Sequence, residues 1–279
     1  MNKPAASVAI RTAAAAILVL ALGTGPAAAS RVPPPPETAR DFATNEAAER
    51  FLRAATVIGV DKDAQAGRTL PWLVTLEKGG LRIKAIFKYI HRPRPHPLAH
   101  SYRYELAAYE LSKILGLVIV PPTVERTIQG QRGALQIYLE SCLSQRDAER
   151  AGLRPPDPRG LRDRLDAVRL FEALTGDACG NKDDTLIHKG DGTVSRIDFA
   201  EAFGTSPELS EDCSVQRCPR GLYQRMLQME PAKTQKLLKA WLSREEVEAL
   251  CARKGRILDR LAERIRERGE GAVLFPPRP

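Results

Sequence analysis

Gly79 and Gly80 lie between two strand-like runs in PWLVTLEKGGLRIKAIFKYI, residues 71–90. Paired glycines between such runs are a hairpin signal, because they accept the left-handed backbone that a tight turn between twisted strands requires. The runs 73–76 and 81–89 therefore read as antiparallel strands. In the second, Leu81, Ile83, Ala85 and Phe87 alternate with Arg82, Lys84, Ile86 and Lys88. One face is apolar, and Lys88 projects from the other. VIVPPTVERTI and RGALQIYLE add two further strands, with Gly130 and Gly133 at their turn. Between the two pairs, SYRYELAAYELSKILGL reads as a helix closed by Gly116. Its stripe is Leu106, Ala107, Leu111, Ile114 and Leu115. A shorter helix at 43–55, capped by Thr44 or Asn45, precedes the sheet.

The second half has a different texture. A Pro-rich break, RPPDPRG, is followed by helical periodicity over 163–175. KGDG then separates strand-like runs at 185–188 and 194–199, a second hairpin. Helices are expected over 220–229, 231–242 and 243–268. The last buries Val247, Leu250, Ile257, Leu258, Leu261 and Ile265, while its alternating Arg and Glu make a solvated outer face. No fixed-period repeat occurs. The pattern predicts an α+β chain in two lobes, β-rich over 43–155 and helical over 156–275.

An apolar content of 43% supports a core and excludes a disordered polymer. The only long apolar run is TAAAAILVLAL at 12–22, about half of the roughly 20 residues a bilayer span needs. Lys3 and Arg11 precede it and Ala27, Ala28 and Ala29 follow, the order of a secretory signal peptide cleaved after Ala29. Residues 1–29 are thus expected to be a leader and 30–42 a stiff Pro-rich linker. The mature protein would be periplasmic or secreted, with no membrane span.

Five cysteines in 279 residues are too few for a disulfide scaffold. An exported chain can oxidise them, and the nearest pair, Cys213 and Cys218, is the expected disulfide. The net charge of +9 suits an anionic envelope component. No aromatic stacking platform or nucleic-acid motif accompanies it, which disfavours nucleic acid. His91, His96 and His100 fall in a Pro-punctuated basic loop without standard zinc spacing. They read as a flexible basic loop, whose Arg and His could meet an anionic ligand.

Nucleotide phosphates need a fixed cation, which a strand lysine supplies and a helix glutamate holds in place. Lys88 and Glu105 have that order. Oxygen ligands for a divalent ion would come from an Asp-rich loop and from an Asp after a strand. GDACGNKDDTLIHKGDGTVSRIDFAEAF contains Asp177, Asp183, Asp184 and Asp198 in that arrangement. Plainer readings exist for the same residues: an edge-strand lysine, a solvated helix glutamate, a charged turn.

Taken together, FKYI, YELAAYELSKILGL with VPPTVER, GALQIYLE, LFEALTGD with DTLI, and RIDFAEAF resemble an atypical kinase-like superfamily. It includes HipA-type bacterial kinases, phosphatidylinositol 3/4-kinase-like proteins and secreted Golgi casein kinases. The similarity runs over about residues 45–275 and is greatest to exported bacterial members. It implies ATP with Mg2+ or Mn2+, phosphates on Lys88, and Glu105 beside it. The adenine would lie near the 136–140 segment, including Gln136 and Glu140. The metal would be held by Asp184 and Asp198. The implied reaction is phosphoryl transfer to a hydroxyl of a protein or small molecule.

One position departs from the pattern. The catalytic aspartate of the family falls on Cys179, and the arginine after it on Gly180. A thiol cannot orient an acceptor hydroxyl as a carboxylate does. Asp177 or Asp183 would have to substitute, or the chain is a pseudokinase that binds without turnover.

Overall fold

A computed structural model describes residues 42, 44–63, 70–94, 96 and 99–276. The leader and all of the linker but Phe42 lie outside these residues. Helix α1 (Asn45–Ala54) starts where the Thr44 hydroxyl accepts from the Ala47 amide. Strands β1 (Thr56–Asp61), β2 (Trp72–Lys78) and β3 (Leu81–Lys88) form an antiparallel meander. Lys78 pairs with Leu81 across Gly79 and Gly80, both at positive φ. Two-residue strands β4 (His91–Arg92) and β5 (His100–Ser101) pair with each other and lead into α2 (Tyr102–Ile114), capped by the Ser101 hydroxyl. Strands β6 (Thr123–Ile128) and β7 (Gln131–Ile137) complete a sheet of order β1-β2-β3-β7-β6. Their turn uses Gln129 and Gly130, while Gly133 belongs to β7 itself.

Cross-strand partners share a sheet face. Phe87 pairs with Leu135 and packs with Phe51 and Leu52 of α1. Lys88 pairs with Ala134, which packs on Tyr102 and Leu106 of α2. The sheet is therefore covered by α1 on one face and α2 on the other. Period-two alternation in β3 sends Lys88 to the α2 side. β3 is the middle strand, so Lys88 is not an edge-strand lysine.

The remaining elements are β8 (Cys142–Ser144), α3 (Gln145–Arg150), α4 (Pro158–Thr175), β9 (Thr185–His188) and β10 (Val194–Arg196). After them come β11 (Cys218–Pro219), α5 (Arg220–Gln228), α6 (Pro231–Leu238), α7 (Arg244–Arg268), α8 (Glu270–Val273) and β12 (Leu274–Phe275). α4 starts before the expected position because Pro158 is tolerated in its first turn and Asp157 caps the Gly160 amide. Strand β10 stops at Arg196, since Asp198 takes a left-handed φ of 62°. α2 packs its far side, Tyr104, Ala107, Leu111 and Leu115, into the helical core with Phe171, Leu250 and Leu261. At the start of α7, Glu246 does double work. One carboxylate oxygen closes the capping box on the Ser243 amide, and the other accepts from the Tyr104 hydroxyl at 2.5 Å. Among the described residues, no helix is long and apolar enough to cross a membrane.

The expected Cys213–Cys218 disulfide is replaced by Cys179–Cys213, with Cα atoms 5.3 Å apart, inside the range a disulfide spans. Cys218 is fully buried in β11, where its strand pairs with β12. That pairing commits its side chain to the core, and nearness in sequence does not bring it to Cys213. The test is a tryptic digest without reduction. Fragment 170–182 should be linked to fragment 197–217; a link from 197–217 to the fragment carrying Cys218 would overturn the assignment.

Candidate active site

Lys88 stands at the centre. Its ammonium donates to Glu105 Oε1 at 2.6 Å and to Asp198 Oδ1 at 2.8 Å. Glu105 lies on the first turn of α2 and is 2% exposed, so it is not a solvated helix residue. Burial alone would discharge Lys88, but the two carboxylates outweigh it and hold its pKa above the ordinary value. Burial likewise opposes charge on Asp198, and Lys88 overturns it, leaving that carboxyl below its ordinary pKa. Three residues from three separate segments thus meet at one ammonium.

A second centre lies beside it. The Arg196 side chain, 1% exposed, donates from Nε to Glu172 Oε1 at 2.8 Å and from Nη2 to Asp177 Oδ2 at 2.6 Å. Its Nη1 is 3.7 Å from Asp184 Oδ2. Asn181 donates its side-chain amide to the same Asp184 oxygen. The Arg196 amide is bound to the Ile119 carbonyl at 2.7 Å, and the Ile197 amide to the Asp184 carbonyl at 3.0 Å. One guanidinium cannot neutralise three carboxylates. Burial therefore prevails over Arg196 at all three, raising Glu172 above its ordinary value and pushing Asp177 up to about 7 and Asp184 up to about 6. The nearby charge of Asp198 adds to the shift at Asp184.

Gln136, Glu140 and Asp183 have other partners. Gln136 is buried on the same sheet face as Lys88 and donates to the Thr123 hydroxyl at 2.9 Å. Glu140 pairs with Lys84 at 2.8 Å. Asp183 faces outward into a two-point contact with Arg146, at 2.6 and 3.1 Å. Asp177 faces inward to Arg196. Cys179 is covalently bound to Cys213, which joins the 177–184 loop to the segment after Asp198.

That segment is clamped. Arg94 from the basic loop donates to the carbonyls of Glu201, Ala202 and Phe203 and to the Tyr104 hydroxyl. The loop read as flexible and basic thus commits this arginine to backbone oxygens. From α7, the buried Arg253 donates to the carbonyls of Gly204 and Ser206 at 2.8 and 2.5 Å. It also reaches the Leu174 and Thr175 carbonyls at the end of α4, at 2.9 and 3.3 Å. Gly176, at φ 67°, ends α4 there; a Cβ on it would lie 3.0 Å from the Arg253 guanidinium carbon.

Arg196, Glu172, Asn181, Arg94 and Arg253 were not singled out from the sequence, although two of them left a signal. Arg196 shares a strand face with the buried Val194. Glu172 interrupts the apolar run LFEAL. A charge inside an apolar pattern requires a buried partner.

No protein-family pattern and no curated protein sequence matches this chain. Solved structures do. The hydra Fam20 structure with sugar superposes with a TM-score of 0.63 at 16% identity, over 84% of this chain and 93% of that one. The proinflammatory kinase CtkA of Helicobacter pylori gives 0.48 at 11%, over 78% and 98%. The FAT and kinase domain of CtTel1 gives 0.47 at 11%, over 85% and 24%. The chain has an α+β kinase-like fold.

Two expectations follow. The folded chain binds the Asp177 proton more tightly than the unfolded chain, whose value is near 3.8. That stabilisation is present at low pH and is lost as pH rises through about 7. Asp177→Asn escapes the loss, so its melting temperature should gain on wild type between about pH 5 and pH 8; a constant difference would contradict the shift. Arg253→Met takes its donors from the carbonyls of Leu174, Gly204 and Ser206, while Thr175 keeps the Phe203 amide; each carbonyl left unpaired costs about 1–3 kcal/mol. Its melting temperature should fall by at least roughly 5 °C.

Proposed function

We propose that this protein is an exported pseudokinase that binds ATP with a divalent ion and does not transfer phosphate by the family's usual route. The observation that carries the reading is the Cys179–Cys213 disulfide. It occupies the position where the resemblance expects the acceptor-orienting aspartate. A disulfide sulfur carries no charge and accepts no proton. Asp177 is held by Arg196 and Asp183 by Arg146, so neither carboxylate replaces it.

The donor set fits a metal nucleotide. Glu105, Glu172, Asp177, Asp184 and Asp198 gather around only two cations, Lys88 and Arg196. A divalent cation would correct that imbalance. Among the described residues, no three acidic, His or Cys side chains cluster as a closed metal cage. Mg2+ does not need one, because it takes one or two carboxylates and completes its shell with water and phosphate oxygens. Asp184 and Asp198 would hold it, with the Asn181 amide orienting Asp184. When bound, the ion supplies charge neutralisation to the β- and γ-phosphates. Lys88 would contact phosphate, Glu105 would keep Lys88 in place, and the 136–140 segment would border the adenine. The disulfide also supports an oxidising compartment, in keeping with a leader at 1–29.

A second reading, active phosphoryl transfer to a protein or small-molecule hydroxyl, is favoured by the intact Lys88–Glu105 pair at 2.6 Å. The two are separated by adding ATP with Mg2+ or Mn2+ to residues 30–279 and following melting, binding heat and release or transfer of the γ-phosphate. At 100 times its dissociation constant the nucleotide should stabilise by about 2.7 kcal/mol. Lys88→Met and Asp198→Ala should lose that gain, and no turnover should exceed the blank. Turnover that disappears in Asp198→Ala would establish the enzyme instead. No stabilisation at millimolar ATP would remove the nucleotide site altogether. Mn2+ affinity should fall as pH drops below about 6, where Asp184 takes up its proton, and level off above it.

A further inference from the structure

A cleft of about 670 Å³ opens between the α2–β6 connection, α4, the β9–β10 hairpin and α5. None of Lys88, Glu105, Asp184 or Asp198 lines it; it meets the site above at Leu139 of the 136–140 segment. Leu117, Val120, Leu139, Ala167, Leu222 and Phe275 make its wall largely apolar. At the lip, Val118 is 78% exposed, a large aliphatic side chain left in water.

Its charge is one-sided. Arg164 and Arg225 both line the cleft. The one acid on its wall among the described residues, Asp163, is bound by Arg217 at 2.7 Å. Arg217 in turn lies over the Phe275 ring at 4.6 Å and closes that end. Arg225 has no hydrogen-bond or ion-pair partner among the described residues. Its guanidinium packs against Gly116, at φ 63°, where a Cβ would come within 2.6 Å of Arg225 Nε. A side chain at 116 would displace it, so the glycine builds the place this cation occupies.

We infer that this cleft binds a single-chain amphiphile with an anionic headgroup, the chain on the apolar wall and the headgroup on Arg225 and Arg164. The pairing follows from the wall itself. A purely apolar ligand leaves the Arg225 guanidinium unused, a cation is repelled, and a small anion leaves the aliphatic surface wet. Carboxylate and phosphate both match the planar fork of arginine donors. At about 30 Å³ per water-sized group, the cleft holds roughly 20 such groups, enough for a long alkyl chain with its headgroup. Clefts of about this size and lining are typical of small-molecule sites.

The test is calorimetric titration of residues 30–279 with laurate, dodecyl phosphate and dodecyltrimethylammonium, each below its micelle concentration. At least one of the two anions should bind and the cation should not; which anion binds identifies the headgroup. Arg225 is exposed on α5, so Arg225→Glu should fold as wild type by circular dichroism and weaken the anion at least tenfold. Saturating the cleft should leave the response to Mn2+ alone unchanged, since neither Asp184 nor Asp198 lines it. Failure of both anions to bind, equal binding of the cation, or undiminished binding by Arg225→Glu would each overturn the inference. A failure of nucleotide binding alone would leave it standing.

Discussion

The buried guanidinium of Arg196 is the point on which the helical half of the site depends. It links α4 through Glu172, the 177–184 loop through Asp177 and Asp184, and the α2–β6 connection through its own amide on Ile119. An arginine taken out of water is costly unless its donors are used, and here Nε, Nη1 and Nη2 all have oxygen partners. The cost is also a source of specificity. This arrangement of the segments satisfies the arginine, and in it Asp184 and Asp198 come near enough to feel each other's charge.

Lys88 plays the matching part on the sheet side. Glu105 approaches it from α2 and Asp198 from the segment after β10. The left-handed backbone at Asp198 is uncommon for a residue with a side chain. It persists because the surroundings over-determine it, with Arg94 and Arg253 holding the following carbonyls from two directions and a disulfide anchoring the segment further on. Strain of this kind is found where function requires a residue to be aimed. On the reading proposed above, this arrangement would hold a metal nucleotide in one geometry. On the same reading, the clamps and the disulfide in particular would remove the freedom that a catalytic loop needs to present a carboxylate to an acceptor.

Much of this could be read from local pattern. The Gly79–Gly80 hairpin, the alternation that turns Lys88 away from Phe87, the helix carrying Glu105 and the hairpin before Asp198 all follow from short-range backbone preferences and periodicity. The structure places them within a few residues of the expected bounds. The clamp residues escaped, because an arginine on a basic loop or a charged helix looks like a solvated one until its carbonyl partners, more than 40 positions away in most cases, are known. The disulfide escaped for a related reason. The nearest cysteine in sequence was taken as partner, whereas Cys218 is buried in a strand pairing with the end of the chain.

The sequence by itself determined the element types, the side of the sheet on which Lys88 stands and the absence of a carboxylate at position 179. These are matters of residue chemistry and of periods two and 3.6, which act over a handful of positions. Tertiary structure alone decided that Cys179 meets Cys213, that Asp177 and Asp183 turn to arginines, and that Arg164 and Arg225 share an apolar cleft. Each of these depends on which distant groups compete for the same charge or the same space, and burial settles that competition only once the chain has closed on itself.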